Sequence, residues 1–242
     1  MTLTGQVALV TGAGRGIGKS IAFALSRQGV SVALTARTQS EIDDVAAAIR
    51  ASGGRAIALR ADMRDEEQIL RMTGDTLKEF GRIDILVNNA GLGHFAKVQQ
   101  LGAEQFDEMW AVNVRGVFLL TKAVLPSMSE RRSGDIVNIA SLAGRNSFVG
   151  GAGYSATKWA LIGFARSLML EVRGDNIRVI TLCPGSVDTD FAGPGRTPPR
   201  PGVIPTADDI AAVAIDALSM PRSVMVSEID IRPTNRSSSI KG

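Results

Sequence analysis

Apolar residues follow two alternating patterns along the chain. Short apolar runs, rich in β-branched residues and bounded by glycine or polar residues, are typical of buried strands. Between them lie longer segments in which apolar residues recur every three or four positions, the spacing of an amphipathic helix. The short runs predict strands at Gln6–Val10, Ser31–Thr35, Arg55–Arg60, Ile83–Val87, Asp135–Ala140, Ile177–Cys183 and Val224–Ile231.

The longer segments predict helices that alternate with these strands. Asp65 is placed to cap one helix, because an aspartate oxygen accepts hydrogen bonds from the free N–H groups of a first turn. Alternating strands and helices predict an α/β fold, doubly wound, with a seven-stranded parallel sheet and helices on both faces. No linker or repeat interrupts the pattern, so we predict one domain over residues 1–242. The first predicted helix follows Gly18. The other predicted helices span Ser40–Ala51, Asp65–Phe80, Glu104–Met128, Tyr154–Val172 and Thr206–Leu218.

Two segments lack either pattern. Residues 186–205 are rich in proline and glycine, which excludes a regular element and predicts a flexible loop that covers the substrate. Residues 232–242 are polar, and we expect this tail to be frayed or docked on a partner subunit.

Composition excludes several classes of function. Hydrophobic residues make up 45% and charged residues 21%, as in ordinary soluble proteins. The net charge of +3 is dispersed, without the basic stripe that nucleic-acid binding requires. One histidine, His94, and one cysteine, Cys183, predict no metal site and no internal disulfide. Without a secretory signal or a run of about 18 apolar residues, the chain is predicted to avoid membranes and to be cytoplasmic.

A glycine-rich turn, Thr11–Gly18, joins the first strand to the following helix. In this setting a backbone can approach a pyrophosphate closely, and the helix N-terminus supplies free N–H donors. Residues 18–20 resemble the end of an ATP-binding P-loop, but that motif needs glycine where this chain has Ala13. The Gly-x-Gly-x-x-Gly fingerprint also fails, because Ile17 occupies its last glycine position. The turn therefore reads Thr-Gly-x-x-x-Gly-x-Gly.

The end of the second strand indicates which dinucleotide binds. In dinucleotide folds an acid about 20 residues beyond the glycine turn bonds the ribose 2′-hydroxyl of NAD. This chain has Ala36 and Arg37 there, no acid before Glu41, and Arg15 within the turn. Guanidinium groups bind phosphate in a fork, so we favour NADP, with its 2′-phosphate, over NAD. NAD stays open, because Arg37 could also be a solvated residue at a helix start.

Tyr154, the only tyrosine of the chain, precedes Lys158 by one helical turn. On a helix both side chains leave the same face. A phenol has an unperturbed pKa of about 10. We expect the Lys158 ammonium to lower the pKa of Tyr154, so that the pair exchanges a proton with a substrate oxygen near neutral pH. A tyrosine four residues before a lysine is common in proteins, so this pair indicates proton transfer only together with the other motifs.

Six short motifs occur in a fixed order. They are Thr11-Gly12-x-x-x-Gly16-x-Gly18, Asn88-Asn89-Ala90-Gly91, Asn113-Val114-x-Gly116, Ser141, Tyr154-x-x-x-Lys158 and Pro184-Gly185-x-x-x-Thr189. Together they make the chain resemble the short-chain dehydrogenase/reductase family over nearly its whole length. The resemblance implies a single-domain Rossmann fold and an NADP-dependent oxidoreductase. Within the family the chain is similar to carbonyl reductases, of which the 3-oxoacyl-carrier-protein reductases are the largest group.

The resemblance also implies how NADP(H) is held. Arg37 would take the 2′-phosphate, Asp62 would meet the adenine, and Thr189 would contact the nicotinamide carboxamide. The other cofactor-binding residues that it implies are Gly12, Arg15, Gly16, Ile17, Gly18, Asn89, Ala90, Gly91, Tyr154, Lys158, Pro184, Gly185 and Val187.

Four residues carry the catalytic roles that the resemblance implies. Tyr154 would be the general acid in reduction, and Lys158 would lower its pKa and bind the nicotinamide ribose. Ser141 would hydrogen-bond the substrate oxygen, and Asn113 would hold a water that connects Lys158 to solvent. Hydride transfer to a carbonyl leaves charge on oxygen, which needs donors already in place, and two hydroxyls supply them. The substrate would be a small ketone or 3-oxoacyl compound that is reduced to a secondary alcohol.

The resemblance leaves substrate and assembly open. Residues 227–233 lack the glycine that acyl reductases carry in their last strand. In the family the helices predicted at 104–128 and 154–172 form a subunit interface, which implies a homodimer or homotetramer. His94 and Phe95 are candidates for substrate contact, although a solvated loop histidine is the simpler interpretation of His94. Two other functions stay open, an NAD-linked dehydrogenase or epimerase and a nucleotide-sensing protein without turnover.

Overall fold

A computed structural model describes residues 2–192 and 204–234. The strands of this part of the chain are β1 (Val7–Thr11), β2 (Ser31–Ala36), β3 (Ala56–Arg60), β4 (Ile85–Asn88), β5 (Gly134–Ile139), β6 (Ile177–Pro184) and β7 (Glu228–Ile231). They form one sheet in the order β3-β2-β1-β4-β5-β6-β7, and all neighbours are parallel. The predicted seven-stranded parallel α/β fold is confirmed.

Helices connect successive strands. Asp65 caps the third helix as predicted, because its side chain accepts a hydrogen bond from the backbone N–H of Gln68 at 3.1 Å. Short 3₁₀ turns occur at Leu142–Gly144, Arg173–Asp175 and Asp190–Ala192. The helices are α1 (Gly16–Arg27), α2 (Gln39–Ala51), α3 (Glu66–Phe80), α4 (Ala103–Trp110), α5 (Val117–Glu130), α6 (Ala152–Val172) and α7 (Ala207–Ser219).

The helices form a layer on each face of the sheet. Successive strand residues point to opposite faces. Val10 accordingly belongs to one core, with Ile21 of α1, while Leu9 belongs to the other, with Leu120 of α5. Helices α1, α2 and α7 cover the first face, and α3, α5 and α6 cover the second. Both faces of the strands are therefore buried, which is why the strand sequences are continuous apolar runs.

The strand order reverses at β1, which lies between β2 and β4. In open parallel sheets the loops on the two sides of such a reversal diverge and leave a crevice at the carboxyl ends of the strands. The Thr11–Gly18 turn leaves the end of β1, and residues 89–102 leave the end of β4. The glycine turn and the loop that follows Asn88 therefore face each other across the crevice.

Two predicted elements differ from the structure. The helix predicted over 104–128 runs from Ala103 to Glu130 but contains a π-helical turn, Ala111–Gly116. The last strand was predicted to begin at Val224 and begins at Glu228 instead. The backbone N–H of Val224 donates to the Pro221 carbonyl at 2.8 Å, so Val224 closes a turn rather than joining the sheet.

The loop predicted at 186–205 is described at its two ends. The backbone N–H of Asp188 donates to the Pro205 carbonyl at 2.9 Å, which holds the ends together. Residues 193–203, and residues 235–242 of the predicted tail, lie outside the described part of the chain. Within residues 2–192 and 204–234, no helix combines the length and apolar character that crossing a membrane requires.

Candidate active site

The glycine turn has a backbone that only glycine suits. Gly12 and Gly16 have φ values of +63° and +55°, in the left-handed region that other residues avoid. A Cβ at Gly18 would collide with the Gly12 carbonyl oxygen and with the Asn89 side chain. Gly18 thus lets the start of α1 pack tightly against the turn, while Gly12 and Gly16 shape the surface that faces the crevice.

Thr11 connects the turn to the loop after β4. Its hydroxyl donates to the Val87 carbonyl at 3.1 Å and accepts from the backbone N–H groups of Asn89 and Ala90, both at 2.9 Å. The Asn89 amide in turn donates to the carbonyls of Thr11 and Gly12, at 2.9 and 3.1 Å. These bonds hold the two sides of the crevice at a fixed separation.

Two charged residues lie beside the turn at the β2 end of the crevice. The Arg37 side chain is 57% exposed, and its ion pair with Glu108 spans 3.8 Å. Glu41 packs over the turn, because a Cβ on Gly14 would come within 2.6 Å of its carboxylate oxygen. Glu41 was noted from the sequence only as the first acid beyond Arg37. Its place in the first turn of α2 was the signal that it reaches the glycine turn.

Asp62 lies at the crevice just beyond β3 and is engaged by Arg64. The Arg64 backbone and guanidinium donate to its carboxylate at 2.6–3.0 Å. Burial raises the pKa of Asp62, but these hydrogen bonds and the charges of Arg64 and Arg37 outweigh burial and lower it. Glu108 pairs with Arg64 and with His94, both at 3.0 Å. His94 thus turns toward α4, outside the set of residues that line the crevice.

Tyr154 and Lys158 are both buried on the face of α6 that meets the crevice. Burial raises the pKa of Tyr154 to about 12, and a hydrogen bond with the Ser141 side chain acts in the opposite direction. Burial lowers the pKa of Lys158 to about 8. The expected lowering of the Tyr154 pKa by Lys158 was therefore wrong for the protein alone, because loss of hydration outweighs the Ser141 hydrogen bond and leaves the pKa raised. The Lys158 Nζ atom lies 5.7 Å from the centre of the Tyr154 ring.

The ends of β5 and α6 meet at these two side chains. Lys158 donates to the Ile139 carbonyl at 2.9 Å, directly before the strand ends. The Ser141 hydroxyl caps the 3₁₀ turn that follows by accepting from the Ala143 backbone N–H at 3.0 Å. Ser141 follows β5 at the carboxyl edge of the sheet, and Tyr154 lies in the first turn of α6, so the two hydroxyls reach the same place from different elements.

Asn113 lies in the π-helical turn and is fully engaged with its neighbours. Its amide donates to the Leu92 carbonyl at 2.9 Å and to the Thr157 hydroxyl at 3.0 Å, and it accepts from the Leu92 N–H at 2.9 Å. A Cβ on Gly91 would lie 3.3 Å from the Asn113 oxygen and 3.7 Å from Lys158 Nζ. Asn113 therefore fixes the loop that carries Gly91 against α6. The π-turn has no signal in the sequence, because its residues also fit an ordinary helix.

The segment after β6 forms the opposite wall of the crevice. The Gly185 N–H donates to the Ile231 carbonyl of β7 at 2.8 Å, which anchors the start of this segment. Pro184 ends β6, and Val187 is buried in the first core beside α1 and α7. Thr189 faces the glycine turn, since a Cβ on Gly16 would lie 3.5 Å from its methyl group.

These elements enclose one cleft of about 1080 Å³, which is large enough for a dinucleotide and a small substrate. Gly18 and Asn113 pack behind its surface. Phe148 and Phe191, which the sequence analysis did not single out, line the cleft together with Phe95. The predicted site residues that line it are Gly12, Arg15, Gly16, Ile17, Arg37, Asp62, Asn89, Ala90, Gly91, Ser141, Tyr154, Lys158, Pro184, Gly185, Val187 and Thr189.

A parallel sheet with a glycine turn at the strand-order reversal, and a cleft that holds a serine beside a buried tyrosine and lysine, defines a dinucleotide-dependent oxidoreductase. The chain belongs to the short chain dehydrogenase family, whose model matches residues 6–199. The resemblance seen in the sequence is confirmed.

Two curated relatives place the chain among oxidoreductases. It is 41% identical over 190 residues to a 3-oxoacyl-[acyl-carrier-protein] reductase of Synechocystis sp., covering 78% of this chain and 77% of the relative. It is 38% identical over 232 residues to an uncharacterized oxidoreductase of Staphylococcus saprophyticus, covering 96% of this chain and 98% of the relative.

Two solved structures share the fold over almost the whole chain. An alcohol dehydrogenase from the archaeon Thermococcus sibiricus, complexed with 5-hydroxy-NADP, superimposes with a TM-score of 0.90 at 33% identity. That match covers 96% of this chain and 98% of the archaeal one. A metagenomic short-chain oxidoreductase in complex with NADP superimposes with a TM-score of 0.86 at 37% identity. That match covers 98% of this chain and 100% of the metagenomic one.

Proposed function

We propose that the protein is an NADPH-dependent reductase that converts a carbonyl to a secondary alcohol. The observation that carries this proposal is the meeting of Ser141, Tyr154 and Lys158 in the cleft that the glycine turn also lines. A nucleotide-binding protein without turnover does not need a buried proton-donating hydroxyl, and burying Lys158 opposes its charge. The site therefore supports catalysis over nucleotide sensing.

The cleft fits a dinucleotide with a 2′-phosphate. The left-handed Gly12 and Gly16 leave room for a pyrophosphate beside the start of α1. Arg37 is exposed and only weakly paired, so its guanidinium is available to a phosphate at the β2 end. Asp62 and Thr189 would border the two ends of the cofactor. NADP-complexed structural relatives support the same assignment. The nicotinamide, when bound, supplies the hydride.

Tyr154 would donate the proton that the reduced carbonyl oxygen needs. A pKa raised to about 12 keeps the phenol protonated at neutral pH, which is the form that a general acid requires. Ser141 would supply a second hydrogen bond to the developing oxyanion. Lys158 would be mostly charged below its pKa of about 8 and would stabilise the phenolate that remains after proton transfer.

Asn113 would position this machinery and complete the path by which Tyr154 regains a proton. Its side chain already holds Leu92 and Thr157, one residue before Lys158. We propose that a water beside this turn connects Lys158 to solvent. The π-helical turn supports this role, because such turns widen a helix and recur at functional sites.

Replacement of the phenol tests the proton-transfer role. We expect Tyr154→Phe to lower kcat for NADPH-dependent ketone reduction by about 10²–10⁴-fold, because the general acid is lost. NADPH affinity, measured by fluorescence titration, is expected to change little. Trp159→Phe, on an exposed position of the same helix, is the matched control. Turnover by Tyr154→Phe at the wild-type rate would contradict the assignment.

An NAD-linked dehydrogenase is the second candidate function, and one observation favours it. The Glu41 carboxylate lies against the glycine turn, where it would oppose a 2′-phosphate or accept a hydrogen bond from a 2′-hydroxyl. Steady-state rates with NADPH and NADH on one ketone distinguish the two functions. A kcat/KM ratio that favours NADH would replace NADP by NAD in the proposal.

A further inference from the structure

Three phenylalanines form a group beside Tyr154 in the cleft, where two of the rings contact the Tyr154 ring and the third packs on one of those two. Phe95 comes from the loop after β4, Phe148 from the loop before α6, and Phe191 from the segment after β6. The Phe95 ring meets the Tyr154 ring edge-on at 5.3 Å, and the Phe191 ring lies 5.7 Å from it. Phe148 extends the group, with its ring 6.0 Å from that of Phe95.

These rings are exposed although they line a concave site. Phe95, Phe148 and Phe191 are 44%, 47% and 43% exposed. A large aromatic side chain that stays hydrated in a cleft loses water only when a ligand covers it, which favours an apolar ligand. Aromatic pairs prefer offset or edge-to-face contacts at about 4.5–7 Å, and rings at three angles around one space offer such contacts to another ring.

The charges next to Phe191 oppose an anionic substrate. Among the described lining residues, the cationic side chains are Arg15 and Arg37, beside the glycine turn and β2, and Lys158, which is buried. The segment that carries Phe191 contributes Asp188 and Asp190 to the lining. A carboxylate or phosphate near these aspartates would meet like charge without a described cation to pair with it.

We propose that the substrate is an uncharged ketone that bears an aromatic ring. The carbonyl oxygen lies between the Ser141 and Tyr154 hydroxyls, and the ring contacts the group of three phenylalanines, Phe95, Phe148 and Phe191. This inference rests on the proposed function.

The reaction balances with groups already named. The carbonyl carbon gains a hydride from NADPH, the carbonyl π electrons move to oxygen, and that oxygen takes the Tyr154 proton. The ketone is reduced to a secondary alcohol and NADPH is oxidised to NADP⁺, after which Tyr154 regains a proton from solvent. The ring itself is unchanged, so its contribution is to binding and orientation.

A matched set of carbonyls tests the inference by NADPH consumption. Acetophenone and cyclohexyl methyl ketone have the same carbon skeleton and differ in aromaticity, 4-acetylbenzoate adds a carboxylate, and acetoacetyl-CoA is an anionic acyl thioester. We expect kcat/KM for acetophenone to exceed those of cyclohexyl methyl ketone and 4-acetylbenzoate by about tenfold each, from ring contacts and charge repulsion.

Variants test whether the phenylalanines cause this preference. Phe95→Leu and Phe148→Leu are expected to lower kcat/KM for acetophenone by about fivefold to tenfold, with a smaller change for cyclohexyl methyl ketone. Phe80→Leu is the matched control, because Phe80 ends α3 and packs under Arg55, away from the cleft. Circular dichroism confirms that each variant folds.

The outcomes distinguish failure of the aryl-ketone inference from failure of the carbonyl reductase proposal on which it rests. Equal rates for the aryl and cyclohexyl ketones, a preference for acetoacetyl-CoA or 4-acetylbenzoate, or leucine variants without aryl-selective loss would overturn the aryl-ketone inference. If reduction of the carbonyl that is actually preferred is abolished in the Tyr154→Phe variant, the carbonyl reductase proposal still stands. Binding of NADPH without reduction of any carbonyl in the set would overturn both.

Discussion

At the residue scale, burial sets the protonation states of Tyr154 and Lys158. Tyr154 and Lys158 are held in a nearly dry space, which favours the neutral form of each. A neutral phenol is ready to act as an acid in carbonyl reduction. The same burial gives Lys158 a pKa of about 8, close enough to neutrality for its charge to change over the pH range in which enzymes are assayed.

This pKa predicts the direction of the pH dependence. Lys158 is charged below about pH 8 and loses its charge above it, whereas Tyr154 stays protonated up to about pH 12. We expect kcat/KM for ketone reduction to fall as pH rises through about 8, because the developing phenolate loses its countercharge. The measurement is a pH profile in reduction, with Lys158→Met as control. A wild-type profile that stays flat to pH 10 would contradict the role of Lys158.

We expect the preference between NADPH and NADH to depend on two opposite charges, Arg37 and Glu41. Arg37→Ala is expected to lower kcat/KM with NADPH relative to NADH by at least about tenfold, because a charge-assisted phosphate contact is lost. Glu41→Gln is expected to change the same ratio in the opposite direction, because it removes negative charge beside the glycine turn. The measurement is the ratio with each cofactor at one ketone concentration. If the ratio of kcat/KM with NADPH to kcat/KM with NADH is unchanged in both variants, Arg37 and Glu41 do not determine cofactor preference.

The sequence predicted which residues line the cleft better than it predicted the pKa values of their side chains. Motif spacing placed Ser141, Tyr154 and Lys158 correctly at one place, because each motif follows a strand end or lies on one helix face. The direction of the Tyr154 pKa depends on hydration, which spacing does not contain. Phe148 and Phe191 were missed for a related reason, since loop residues meet only after the fold is formed.

At the element scale, one threonine hydroxyl joins two strands of the crevice. Thr11 ends β1 and accepts from two backbone N–H groups just beyond β4. These donors have no neighbouring strand to pair with at this point, because the loops diverge there. The connection therefore replaces sheet hydrogen bonds at the place where the sheet opens for a ligand.

Removal of that hydroxyl tests its importance. We expect Thr11→Val to lower the free energy of unfolding by about 1–3 kcal/mol, because the Ala90 N–H loses its acceptor while the Asn89 N–H keeps only its bond to the Val87 carbonyl. Thr76→Val is a matched control, since the buried Thr76 hydroxyl donates only to the Met72 carbonyl of its own helix. Both are measured by urea denaturation. Equal losses in the two variants would show that Thr11 acts only through packing.

Helices with a long apolar periodicity were predicted correctly. Features that depend on local backbone hydrogen bonds were missed. The cap at Asp65 and the ends of α3 and α6 agree with the sequence to within two residues. The π-turn at Ala111–Gly116 changes hydrogen-bond spacing without changing side-chain type, so no sequence pattern marks it. The start of β7 was misplaced because Val224 looks like a strand residue but bonds within a turn.

At the scale of the whole molecule, the sheet divides the protein into a buried framework and one reactive edge. The ends of β1 to β6 and the loops that follow them produce the crevice from segments far apart in sequence. Alternation of strands and helices predicted this topology, because parallel strands require crossovers and crossovers cover both faces. Neither composition nor alternation specifies a substrate, which depends on loop side chains.

The outer face of α4, α5 and α6 leads to the last prediction, that the protein is a homodimer or homotetramer. Phe118, Trp159 and Leu170 are 47%, 52% and 58% exposed on these helices, and a recess of about 480 Å³ lies beside Phe118. Exposed apolar surface of this kind favours a second copy of the same chain.

Phe118→Asp is therefore expected to shift the mass measured by light scattering toward that of one chain, because a buried charge opposes association. Leu70→Asp is the matched control, because Leu70 is an exposed apolar residue of α3 and lies outside the lining of the recess beside Phe118. A wild-type mass of one chain, or loss of assembly only in Leu70→Asp, would contradict the prediction.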